Sequence, residues 1–189
     1  MLPQSQQLFV VIGGRPANVR MMNLAARLGL DGSVLILDAG NRANPYLLSK
    51  ELRRMTIDPF AALKRIRIAR AFTCHQVVAL LEQTLESGRP RQPLLVLDLL
   101  STFYDESVSV IESRRLLENS LRLLALLNQA APVVVSARLP HDDFPQRRDF
   151  LPRLCELAAQ IWEEAPGSPP EFRQGVLPAP DFLPEERGD

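Results

Sequence analysis

Three places along the chain carry residue types able to do chemistry. Gly13-Gly14-Arg15 separates an apolar segment from a helical pattern, Asp38 closes the run "VLILDAG" (Val34 to Gly40), and Asp98 closes "LLVLDLLS" (Leu94 to Ser101). Glycines at the start of a helix let backbone N–H groups approach an anion, and arginine adds a planar fork of donors. Gly13, Gly14, Arg15 and Arg20 are therefore candidate phosphate or carboxylate contacts. Asp98, at the end of a strand, is the candidate for holding a cation through water. The plainer readings are a tight turn with surface arginines and a strand-end carboxylate satisfied by its neighbours. His75 reads as a packing and capping residue. Cys74 and Cys155 have neither C-x-x-C spacing nor clustered histidines, so they read as buried thiols and no metal ligand set is expected.

The elements that must position these residues follow from periodicity. Leu8 to Ile12 reads as a buried strand, and a helix follows from about Ala17 to Leu28 with Gly29 at its expected stop. Val34 to Leu37 is a second strand, and Pro45 opens a helix through about Met55. Ile57 to Ala61 reads as a connector, and Ile66 to Ala71 as the third strand, alternating isoleucine with arginine. His75 to Glu86 is an amphipathic helix. Leu94 to Leu97 is wholly apolar, which suits a strand covered on both faces. A loop to about Val110 leads into a long helix, Ile111 to Gln129, with too many leucines for a single stripe. Val133 to Ser136 is a fifth strand, Arg138 to Asp149 a surface loop, Phe150 to Ala159 a short helix or turn, and Gln160 to Glu163 an edge strand.

With 189 residues, 46% of them hydrophobic and 23% charged, the chain suits one domain with a full core. The order of elements divides it into a core over residues 1–165 and a Pro/Gly/acid-rich tail over 166–189 that is expected to be weakly ordered. No apolar run is long enough for a membrane helix and the N-terminus lacks signal-peptide features, so the expectation is a cytoplasmic protein with no membrane partner. The balanced net charge conceals a split: residues 1–100 carry 13 Lys and Arg against 7 Asp and Glu, and residues 101–189 carry 9 against 15. Nearly all the basic residues are arginine, which suits phosphate or carboxylate recognition and equally follows from GC-rich coding.

Taken together, the order of elements and three blocks of sequence resemble the ATPase core of the RecA/RadA recombinase family. In "VLILDAGNRANPYLLSKELRRMTIDPFAALKRIRIARAFTCHQ" (Val34 to Gln76) an aspartate ends a strand, an arginine and proline open a helix, and an Ala-Arg-Ala-aromatic strand is followed by His-Gln. "LLVLDLLSTFYDE" (Leu94 to Glu106) is similar to the Walker B strand, with Asp98 as its aspartate and Tyr104 as the aromatic after it. "IESRRLLENSLRLLALLNQAAPVVVSAR" (Ile111 to Arg138) is similar to the helix and strand that follow. The resemblance covers about two thirds of the chain. It implies an α/β, three-layer RecA-like P-loop NTPase fold with a mostly parallel central sheet.

The departures from that family are as informative. A P-loop, G-x-x-x-x-G-K-[ST], uses glycines to bring backbone N–H groups to phosphates, lysine to bridge the outer phosphates and a hydroxyl to hold magnesium. Counting from Gly14, the matching positions are Val19, Arg20 and Met21. The family's catalytic glutamate after the second strand is missing from Asp38-Ala39-Gly40, and the Asn-Gln that senses the γ-phosphate is replaced by Ser136-Ala137-Arg138. The resemblance thus implies a pseudo-ATPase: a degenerate nucleotide site at Gly13, Gly14, Arg15, Arg20 and Asp98, no catalytic residues, and no predicted cofactor, with ATP left open as a ligand of that site. The expected role is a recombination or DNA-repair accessory acting through a protein partner, with an active RecA/RadA-type recombinase as the candidate.

Two alternatives stand beside it. One is a divergent DNA-dependent ATPase whose lysine is replaced by Arg20 or supplied by a neighbouring subunit. The other is an ATP-independent single-stranded DNA binder using Arg114, Arg115, Arg147 and Arg148, in the two loops that the resemblance assigns to DNA. Those loops also carry Asp105, Glu106, Asp142, Asp143 and Asp149, so strong autonomous DNA binding is not expected. The basic residues Arg53, Arg54, Lys64, Arg65, Arg67 and Arg70 form a denser cluster whose plainer reading is local ion pairing.

Overall fold

A computed structural model describes residues 8–87, 92–139 and 145–163. Six parallel strands, β1 (Leu8–Ile12), β2 (Val34–Asp38), β3 (Ile66–Arg70), β4 (Leu94–Leu97), β5 (Val133–Ala137) and β6 (Gln160–Glu163), form one sheet in the order β3-β2-β4-β5-β1-β6. Six helices connect them: α1 (Arg15–Asp31), α2 (Pro45–Met55), α3 (Pro59–Leu63), α4 (Cys74–Glu86), α5 (Val110–Asn128) and α6 (Phe150–Glu156). The sheet is wholly parallel among the described residues. The expected tail, 166–189, lies outside them.

Side chains that alternate along each strand divide the core into two layers. Phe9, Val11, Ile36, Leu95 and Leu97 pack with α1, α2 and α3 on one face, and Val10, Ile12, Val96, Val133 and Val135 pack with α4, α5 and α6 on the other. Every connection that runs towards β3 crosses the first face, and every connection that runs towards β6 crosses the second. A single crossover handedness produces that segregation. As a result the chain leaves neighbouring strands β2 and β4 in opposite directions, and likewise β5 and β1. Crevices open at such places, at the carboxyl ends of the strands.

Local chemistry sets most element boundaries. Asn44, Asp58, Thr73 and Ser109 cap α2, α3, α4 and α5 by accepting a backbone N–H near each helix start. The Asp58 cap and Pro59 make a short helix of the segment expected to be a connector, and Leu99–Tyr104 is a 3-10 helix where a loop was expected. Gly29 does not stop α1, which runs to Asp31. It is buried within the helix, where a Cβ would lie 2.6 Å from Ile66 Cδ1, so its role is close helix–strand packing. No helix among the described residues is long and apolar enough to cross a membrane.

Candidate functional site

The turn after β1 contains only Gly13 and Gly14, because α1 begins at Arg15 with Pro16 in its first turn. Gly13 has φ 154°, a conformation that favours glycine, and its N–H donates to Ala137 O at 3.0 Å, tying the turn to the end of β5. No extended phosphate-cradling loop separates strand from helix. This corrects the count that placed Arg20 at the nucleotide: Val19, Arg20 and Met21 belong to α1. Met21 is buried in the core and Arg20 stacks over the Trp162 ring at 5.6 Å. Arg20 does not line the cleft described below.

At the end of β2, Asp38 is fully buried and folds the loop that follows it. Its Oδ1 accepts from Arg42 N (2.7 Å), and its Oδ2 accepts from Ala43 N (3.0 Å) and Arg70 Nε (2.9 Å). The clasp closes a tight turn in which Asn41 takes φ 54°. It also fixes the backbone of Arg42, whose carbonyl accepts from Asn18 Nδ2 at 3.1 Å.

Asp98, just past β4, has φ 50° and ψ 53° and is only 4% exposed. Its N–H donates to Ser136 Oγ at 2.9 Å, and its Oδ2 accepts from Arg42 Nε (3.0 Å) and forms an ion pair with Arg138 Nε (2.8 Å). Arg138 Nη2 donates to Ser101 Oγ at 3.2 Å. Oδ1 is buried with no hydrogen-bond partner among the described residues. Gly40 is required beside it, because a Cβ there would lie 2.5 Å from Asp98 Cβ.

Four strand ends therefore meet around one cleft of about 280 Å³, in which Gly13, Gly14, Arg15 and Asp98 are joined by Arg42 and Arg138. Of the five residues expected at the degenerate nucleotide site, the structure brings four together and leaves Arg20 apart. Arg42 and Arg138, the residues that most change its character, were not among those five. Each is the first basic residue beyond the carboxyl end of a buried strand, a signal the sequence carried.

Magnesium-bound ATP, the ligand of active members of the family that the sequence resembles, does not fit these residues. The one carboxylate among the described residues lining the cleft offers Oδ2 to two guanidiniums, the first turn of α1 carries no hydroxyl, and the Ser136 hydroxyl already accepts the Asp98 N–H. Among the described residues no group of three or more His, Cys, Asp or Glu could hold a metal ion.

Three of the four residues expected to meet nucleic acid have other partners. Arg147 is 4% exposed, with Nη1 donating to Phe103 O (2.7 Å) and Asp105 O (2.6 Å) and Nη2 donating to Val108 O (2.6 Å). That corrects its expected role: its guanidinium is spent on clamping the segment between the 3-10 helix and α5. Arg114 pairs with Asp149 at 3.2 Å, and Arg115 forms a two-point contact with Glu112 (2.9 and 2.7 Å). Arg148 is exposed. In the denser basic cluster, Arg65 donates to Leu30 O at 2.7 Å in the last turn of α1, and Arg70 belongs to the Asp38 clasp. Loop residues 140–144 lie outside the described residues.

Cys74, His75 and Glu112 have a triad-like sequence of contacts, with Cys74 Sγ 3.8 Å from His75 Nδ1 and His75 Nε2 3.4 Å from Glu112. Burial pushes the Cys74 thiol up, and the sulfur belongs to the core, so it is not a nucleophile. Cys155 is likewise pushed up by burial. No protein-family model matches the chain.

Proposed function

We propose that this chain is a catalytically degenerate RecA/RadA-like protein that serves recombination or DNA repair as an accessory, by binding a protein partner, an active RecA/RadA-type recombinase being the candidate. One observation carries the reading: Arg42 and Arg138 close on Asp98, at the strand end where the resemblance puts the Walker B aspartate. Phosphoryl transfer depends on positioning and charge neutralisation by metal, lysine and a water-orienting group. Here arginines take the carboxylate that would face the metal, and the turn before α1 is two residues long. The parallel sheet, with its carboxyl ends gathered on one cleft, is consistent with the proposed ancestry.

A divergent ATPase that uses Arg20 in place of lysine fits less well, since that side chain faces Trp162. A direct DNA binder loses Arg147 to the interior and Arg114 and Arg115 to carboxylates. The test has two arms. In the first, purified protein with magnesium and ATP is expected to release no phosphate above a blank; hydrolysis that an Asp98→Ala substitution reduces would overturn the pseudo-ATPase reading. In the second, titration against the recombinase of the same organism is expected to give saturable binding, and its absence would remove the partner.

A further inference from the structure

The geometry points to a metal-independent site for a phosphoryl dianion in the cleft at the carboxyl ends of β1, β4 and β5, held by Arg15, Arg42 and Arg138. Among the described residues that line it, three guanidiniums and one carboxylate leave the cleft with a surplus of two positive charges, which matches the charge of about −1.5 to −2 on a phosphate monoester at neutral pH. In the fold's implied use a divalent ion would supply that surplus; here it is built from arginine.

Asp98 is the positioning residue. It engages Arg42 and Arg138 through Nε, and among the described residues both Nη groups of Arg42 and Nη1 of Arg138 have no hydrogen-bond acceptor, while those side chains stay 40% and 43% exposed at the cleft. A guanidinium already fixed by one N–H loses less freedom when the others close on an anion. Asp98 is itself fixed by the Ser136 hydroxyl and by the face of Gly40, and its left-handed backbone is a strained conformation of the kind that persists at ligand sites. Gly13 and Gly14 keep the mouth of the cleft free of side chains, and the start of α1 adds its partial positive charge.

The volume sets the ligand's size. A water takes about 30 Å³ of liquid, so about 280 Å³ accommodates a phosphoryl group and a small part of whatever bears it. That is below the range of about 300–1,000 Å³ typical of pockets that enclose a drug-sized ligand, and a whole nucleoside triphosphate would project from it.

This inference rests on the proposed function only in that the cleft does not take magnesium-bound ATP. A chain that binds the recombinase yet not phosphate would refute the anion site alone, and one that binds phosphate yet no recombinase would refute the accessory role alone. The experiment is calorimetric titration of the full chain with inorganic phosphate and with adenosine 5′-monophosphate, in EDTA and in magnesium, at about 0.15 M chloride. Saturable binding that is the same in EDTA and magnesium is expected. Arg15→Gln and Arg138→Gln are each expected to weaken it at least about tenfold, as loss of a charged hydrogen bond does. Arg15 is exposed and remote from the core, so its variant tests the site even if Arg138→Gln fails to fold. Tighter binding of the monophosphate would identify a phosphomonoester as the source, and equal or tighter binding of inorganic phosphate would identify the free ion. Binding that requires magnesium, that chloride abolishes, or that both variants leave unchanged would overturn the proposal, as would no binding at millimolar phosphate.

Discussion

Asp38 and Asp98 look alike in the sequence, each an aspartate closing an apolar strand, and both are buried in the folded chain. Their surroundings differ in kind. Asp38 has partners on both oxygens, two of them backbone N–H groups four and five residues on. Asp98 receives two long side chains on one oxygen, from positions 56 residues before it and 40 residues after it, and its other oxygen has no hydrogen-bond partner among the described residues. A carboxylate saturated by its own loop is a structural clasp. One that holds two half-exposed guanidiniums is an anchor for groups that can still bind something else.

Alanine at the two positions should separate these roles most sharply. Asp38→Ala leaves Arg70 and two N–H groups of the β2–α2 turn without their acceptor, so it is expected to cost about 3–5 kcal/mol in urea unfolding. Asp98→Ala releases Arg42 and Arg138 to water they already partly reach, and about 1–2 kcal/mol is expected. Equal losses at the two sites would erase the distinction. Gly40→Ala tests how tightly the anchor is held. A Cβ there meets the root of the Asp98 side chain at 2.5 Å, whereas one at Gly29 meets the movable end of Ile66 at 2.6 Å. An overpacking cost of about 1–3 kcal/mol is expected at Gly40, and a smaller one at Gly29.

The smallest effect contrasts these buried carboxylates with the surface ones. Burial raises the Asp149 carboxyl, but hydrogen bonds from Arg153 and Arg114 outweigh that and hold it below the ordinary range; the hydrogen bond from Arg115 does the same for Glu112. A carboxyl lowered by folding contributes stability that is present above its unfolded value, about pH 4, and lost as pH falls through its folded value. The urea midpoint should therefore decline on acidification below about pH 4. Asp149→Asn should flatten that decline only slightly, because the pair is exposed and screened. A midpoint that rises on acidification would contradict this sign.

How much of this was legible depends on the range of the interaction concerned. The limits of β1, β4, β6 and α2 coincide with the sequence reading, and the other strands differ by a residue at one end; for β1 and β4 the reason is that a strand covered by helices must be continuously apolar. The 3-10 helix at Leu99–Tyr104 and the α3 turn were missed, since short local helices leave no periodicity to read. Gly29 carried a stop signal that packing against Ile66 overrode. Arg147 looked like a surface charge because nothing local marks an arginine whose three acceptors lie about forty residues earlier in the chain.

The sequence by itself determined a layered α/β chain whose chemistry gathers at the carboxyl ends of its strands, with glycines and an arginine after the first strand and an aspartate after the second and fourth. Apolar runs, caps and turns act over a few residues, so they are written where they act. Only the tertiary structure decided which charges meet: that Arg20 leaves the cleft for Trp162, and that Arg42 and Arg138 converge on Asp98. Those contacts depend on strand order and on which loops the sheet brings side by side, and the order in which residues occur along the chain does not fix either.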